Sequence, residues 1–215
     1  MDKQLIIDFF NLLKRAIEDV DVTYFKATTH LETTQYTERA FCYELYHQLR
    51  SKQENEKSLD GWLINGEIPK MLGICNGETS IGGMSIMLNY EKDQKRVTPD
   101  MVIHKSQSVK TEGNCLVLEV KNSPQKVDIQ WDLYKLMKYI EEFKYGHGVY
   151  LQVNKDFNKL KEEIKALFSA VNETDHKNLL EKISIITVCL TKQGKEKTKN
   201  IKRKSLWEII NCGNV

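Results

Sequence analysis

The sequence predicts an α/β sandwich, with helices covering both faces of a mixed β-sheet. Two segments, Met101–His104 and Leu116–Val120, are apolar on both alternating faces, as expected of central strands covered on two sides. Stripes of apolar residues at helical spacing precede and follow them. The coarse order αα(β)ββαβαβ interleaves the two kinds of element, which is the signature of a layered α/β domain.

Taken in order, residues 3–19 place Leu5, Ile6, Phe9, Leu12, Leu13 and Ala16 on one face, giving a first amphipathic helix. Thr37-Glu38-Arg39 opens a second helix running to about Arg50, with Phe41, Cys42, Leu45 and Leu49 as its stripe. Glu38 falls on that side and Glu44 roughly opposite. Ser51–Asp60 is polar and reads as a loop. Residues 61–90 are short apolar pieces broken by glycines, read as one or two edge strands. Lys105–Asn114 joins the two central strands as a hairpin loop, and Ser123-Pro124 ends the second. Asp128–Phe143 is a helix with Ile129, Leu133, Leu136, Met137, Ile140 and Phe143 on its stripe. Val149–Val153 is a strand, Lys155–Ser169 a charged helix, and Ile183–Leu190 a further strand. The basic run Thr191–Lys204 reads as a hairpin loop, and Ser205–Ile210 as a short closing helix or strand.

At 215 residues the chain is long enough for one domain with a substantial core, and short for two. No run approaches the ~18 apolar residues of a membrane span, and the first twenty positions mix charge with hydrophobe, unlike a signal peptide. Five widely spaced cysteines with no Cys-x-x-Cys pair fit a reduced, cytoplasmic setting and argue against a structural zinc site. Gly77, Gly82 and Gly83 form no dinucleotide-binding turn, no P-loop is present, and no serine-hydrolase elbow occurs. The histidines show no metal-ligand spacing.

The chemistry-bearing pattern is Thr98-Pro99-Asp100, followed by Glu119-Val120-Lys121. Side chains alternate along a strand, so Glu119 and Lys121 share a face. If the two segments pair, two carboxylates and an ammonium gather at one end of the sheet. Such groups are costly there unless paired or bound to a cation. The expectation is that Asp100 and Glu119 bind Mg²⁺ or Mn²⁺, with the Val120 carbonyl as a third protein ligand. The metal would activate a water. Lys121 would orient or deprotonate that water, or stabilise the transition state.

In these residues the chain resembles the PD-(D/E)xK nuclease superfamily, through Pro99-Asp100 and Glu119-x-Lys121 on successive strands between two helices. The resemblance spans roughly residues 37–190. It implies a restriction-endonuclease-like three-layer core and a metal-dependent nuclease acting on nucleic acid, DNA first. It assigns metal binding to Asp100 and Glu119 and catalysis to Lys121. Glu38, followed by Arg39, matches the metal-orienting glutamate of the preceding helix. Gln130 is the best match to a polar residue in the helix after the motif, with Asp132 or Lys135 next. A symmetric dimer would ease duplex cleavage. The fold also serves non-catalytic members, so the rival expectation is an inactive module that binds nucleic acid or a protein.

Net charge is only +2, but Lys192, Lys195, Lys197, Lys199, Lys202, Arg203 and Lys204 stand against the single Glu196. Such a run would attract the backbone of a polyanion. The alternative is a solvated loop kept soluble by its lysines.

Overall fold

The computed structural model describes residues 3–28, 34–35, 37–73, 77–88, 94–105, 113–123, 129–168, 176–193 and 196–211. The chain begins with α1 (Lys3–Asp19), a short hairpin β1 (Ala27–Thr28) and β2 (Thr34–Gln35), and α2 (Glu38–Gln53). Five strands follow: β3 (Leu63–Gly66), β4 (Lys70–Gly73), β5 (Gly77–Ile81), β6 (Met84–Leu88) and β7 (Gln94–Val97). Next come β8 (Met101–His104), β9 (Asn114–Asn122), α3 (Ile129–Glu142), β10 (His147–Val153) and α4 (Phe157–Leu167). The last elements are α5 (Lys177–Leu180), β11 (Ile183–Gln193), β12 (Glu196–Ser205) and α6 (Leu206–Asn211).

The central sheet runs in the order β12-β11-β10-β9-β8-β3. β9, β10 and β11 are mutually parallel, while β12, β8 and β3 are antiparallel to their neighbours. It is therefore a mixed sheet flanked by helices. Strand alternation sorts its side chains into two cores. Leu116, Leu118 and Val120 of β9 join Val149, Leu151 and Val153 of β10 under α1 and α2. Val117 and Tyr150 face the other way, toward α3, α4 and α6. β8 and β10 are buried at every position, which explains why their sequences carry no amphipathic alternation.

Helix α1 buries Phe9, Leu12, Leu13 and Ala16 of the predicted stripe, together with Phe10 and Ile17, while Leu5 and Ile6 are partly buried. Helix α2 extends to Gln53, past the expected end, and a 3-10 turn at Lys57–Leu59 replaces part of the expected loop. Residues 61–90 hold four strand pieces where one or two were expected, and β7 follows them. Only β3 joins the central sheet; β4 pairs with β7 and β5 with β6. The β5–β6 turn has Gly82 and Gly83 at φ +57 and +82, a backbone region L side chains rarely adopt. A Cβ on Gly82 would also meet Met137 Sδ at 2.5 Å, so the turn seats directly against α3.

The basic run is not a hairpin loop. Residues 196–205 form β12, a long edge strand that pairs with β11 from Ser184↔Ser205 to Gln193↔Glu196. Lys195 lies outside the described residues, and only the backbone of Lys192 is described. Among the described residues no helix is long and apolar enough to cross a membrane.

Candidate functional site

β8 and β9 pair antiparallel, Met101 opposite Leu118, which brings Asp100 against the far half of β9. The Val120 N–H donates to Asp100 Oδ2 at 2.6 Å. That bond fixes the orientation of the aspartate. Glu119 and Lys121 emerge on the α3 side of the sheet. Two turns of α3 meet them there with Asp132 and Lys135, three residues apart and on one helix face.

The result is a chain of alternating charges. Glu38 Oε1 lies 3.3 Å from Lys121 Nζ. Lys121 Nζ lies 3.6 Å from Asp132 Oδ2, and Asp132 Oδ1 lies 2.9 Å from Lys135 Nζ. Lys135 Nζ donates to Glu119 Oε2 at 2.7 Å. Glu119 and Asp132 are 1% and 2% exposed, so the inner half of this chain is dry. Gln152 of β10 lies opposite Lys121 in the sheet. Its amide donates to the Lys121 and Ser123 carbonyls at 3.3 and 2.8 Å, and its oxygen accepts from Tyr150 Oη at 2.8 Å.

Burial sets the protonation of the group. It pushes the Asp100 carboxyl up to about 6, against the pull of the Val120 N–H bond and with help from Glu38. It also lifts the Glu119 carboxyl, whose Oε1 has no hydrogen-bond partner among the described residues; the Lys135 ammonium opposes that rise. Burial alone would lower the lysines, but it is outweighed. Glu119 and Asp132 keep Lys135 charged; Asp132, Glu38 and Asp100 keep Lys121 charged. Lys121 is thus a firm cation that donates protons in hydrogen bonds and has no lone pair to accept one.

This arrangement overturns the metal-dependent nuclease expected from the sequence. Among the described residues no group of three or more His, Cys, Asp or Glu side chains is placed to hold a metal ion. The physical reason is that the ligands are committed elsewhere. Lys135 supplies the positive charge that a cation would have brought to Glu119, and Lys121 takes up Glu38. Asp100, Glu119, Val120 and Glu38 therefore do not form a Mg²⁺ or Mn²⁺ site, and with no metal-activated water the hydrolytic mechanism through Lys121 falls as well.

Gln130, expected in the cluster, instead donates to the Ser85 carbonyl of β6. Its neighbours Asp132 and Lys135, ranked behind it, are the helix residues that reach the strand. Glu38 does point toward the β9 end, and Glu44 accepts from Gln48 Nε2 at 2.7 Å on another face. A cleft of about 310 Å³ lies outside the chain, lined by Glu38, Arg39, Tyr43, Tyr46, Glu67 and Asp100. Gln152 was missed from sequence. The one available signal was its place in an otherwise apolar strand, Val149–Val153.

Along β12, alternation splits the basic run between two faces. Lys199 donates to the Glu18 carbonyl near the end of α1. Arg203 lies 3.3 Å over the Phe10 ring, and its Nε donates to Ser184 Oγ at 3.2 Å. Lys197 and Lys202 are exposed. No protein-family model, no curated protein and no solved structure matches this chain.

Proposed function

We propose that this chain is a non-hydrolytic binding module on a restriction-endonuclease-like layout, and that it holds DNA through the basic edge strand β12. The layout is supported by the helix-strand-strand-helix-strand order of α2, β8, β9, α3 and β10, with Asp100 and Glu119-x-Lys121 on neighbouring strands. The non-hydrolytic reading is supported by the alternating ion chain that occupies the motif. The single observation that carries the DNA reading is the free border of the sheet. From Lys197 to Lys204 β12 bears five cations and no acid, and among the described residues it has a sheet partner on one side only.

An edge strand offers backbone N–H groups to an acceptor as well as lysines, and phosphate oxygens accept from both. Lysines are flexible point charges, so contact follows the phosphate backbone and not the base sequence. The same lysines guard the edge against pairing with another sheet, a role that requires no partner. Affinity measured against salt separates the two. About three phosphate contacts give a log–log slope of roughly −3 on two unrelated duplexes. Lys197→Ala with Lys202→Ala weakens both duplexes alike and flattens the slope by about 2. An unchanged slope returns β12 to edge protection alone.

A further inference from the structure

At the opposite end of the sheet from Glu119 and Lys121, a groove of about 1160 Å³ opens where β10 begins. Four lysines from four parts of the chain stand around it: Lys3 of α1, Lys105 after β8, Lys144 before β10 and Lys182 before β11. None of the four has a carboxylate partner among the described residues. The acid on the rim, Glu181, already has Lys177 at 3.7 Å. Inside, the His147 imidazole is pushed down to about 3, by burial first, then by Arg203, with Lys182 of the rim adding to both.

The floor is apolar. Ile6 and Ile7 of α1 line it from one side, Ile7 50% exposed, while Ile140 of α3 on the other is almost wholly buried. The aromatic rings present are not available for stacking. Trp62 is covered by the Lys105 ammonium 5.2 Å from its centroid and by the edge of Phe9, while Tyr145 is 2% exposed. A nucleobase therefore finds no open ring here. A flat lipid surface needs a patch of protruding apolar residues, and among the groove's lining residues Ile7 is the large apolar side chain that is well exposed.

We infer that the groove between the start of α1 and the start of β10 docks an extended acidic peptide segment of a partner protein, with apolar side chains alternating between its carboxylates. In an extended segment such alternation puts the apolar residues on one face, toward Ile6 and Ile7, and the carboxylates on the other, within reach of the lysine rim. Charge complementarity selects the segment and speeds its arrival; the apolar floor retains it.

The test uses the full chain and a short fluorescein-labelled peptide of alternating glutamate and leucine, followed by anisotropy. Saturable binding is expected. A peptide of alternating glutamate and serine, equal in charge, should bind at least about tenfold more weakly. Lys105→Glu with Lys182→Glu should lose about tenfold or more, and Ile7→Ser should lose affinity for the leucine peptide only. Near-UV circular dichroism checks that each variant keeps its fold, and all three positions are exposed. Equal binding of the two peptides, or an unaffected double variant, overturns the proposal. So does a single-stranded oligonucleotide or an anionic phosphatidylserine vesicle that binds the wild type, displaces the peptide and is lost in the double variant. The Lys197→Ala, Lys202→Ala protein should bind the peptide normally, so failure here and failure of the DNA reading are told apart.

Discussion

The two ends of the central sheet treat charge in opposite ways. At the end where β9 finishes, Glu38, Lys121, Asp132, Lys135 and Glu119 alternate in sign and touch in sequence, with the inner members dry. At the end where β10 begins, Lys3, Lys105, Lys144 and Lys182 surround a groove, and none of the four has a carboxylate partner among the described residues. Charges already answered from within mainly hold helices to strands. Charges left unanswered at a surface are the ones a partner can use. A motif read from sequence identifies residues capable of chemistry, but the neighbouring charges decide what remains of that capacity.

The comparison is most exposed to failure in the buried pair. Lys135→Met keeps the shape of the side chain and leaves Glu119 and Asp132 without their shared cation. It should cost about 3–5 kcal/mol in urea denaturation, because an unpaired buried carboxylate is left behind. Glu119→Gln should cost less, since Lys135 keeps Asp132 at 2.9 Å. Combining Lys135→Met with Asp132→Asn and Glu119→Gln should recover part of the loss. If Lys135→Met is as stable as wild type, the cluster is wetter and more open than its burial indicates.

Asp100 sharpens the comparison through pH. Its folded pKa, about 6, lies above the ordinary carboxylate value of 3.8. The folded state therefore holds the proton more tightly than the unfolded state does. The stability this contributes is present below the unfolded value and is lost as pH rises through about 4 to 6. Asp100→Asn keeps an acceptor for the Val120 N–H and removes the titration. It should stabilise the protein at pH 7.5 by about 1–3 kcal/mol and flatten the melting temperature across that window. A melting temperature that falls on acidification from pH 6 to 5 in wild type but not in Asp100→Asn would contradict it.

Glu38 should give the smallest effect. It is partly exposed and 3.3 Å from Lys121, and Lys121 retains Asp132. Glu38→Gln should change stability by no more than about 1 kcal/mol, as for other solvated pairs. A larger loss would place Glu38 inside the dry part of the chain and not at its rim.

Much of the architecture was legible because it follows local periodicity. Helix α1 starts and ends where its stripe does, and β8, β9 and β10 are where unbroken apolar runs required covered strands. β12 was not legible. As an edge strand it shows Lys197, Lys199, Ile201 and Arg203 on one face and Thr198, Asn200, Lys202 and Lys204 on the other, so no apolar alternation announces it. The charge cluster was legible as a set of residues but not as a state. Asp100, Glu119, Lys121 and Glu38 do meet near the end of β9. That Lys135 would answer Glu119 depends on the distance from α3 to β9, which no local pattern carries. A faint trace exists in α3, where Asp132, Lys135 and Tyr139 put polar atoms in one row beside the apolar stripe.

We propose that the Glu119-x-Lys121 strand serves structure and that the edge strand β12 binds DNA. This is tested most directly by incubating the purified protein with linear and circular duplex DNA in Mg²⁺, in Mn²⁺ and with chelator, reading mobility and DNA length from the same samples. The account predicts retarded DNA of unchanged length, at protein concentrations that chelator does not alter. Shortened or linearised DNA that appears only with metal, and disappears in Lys121→Ala, would contradict it.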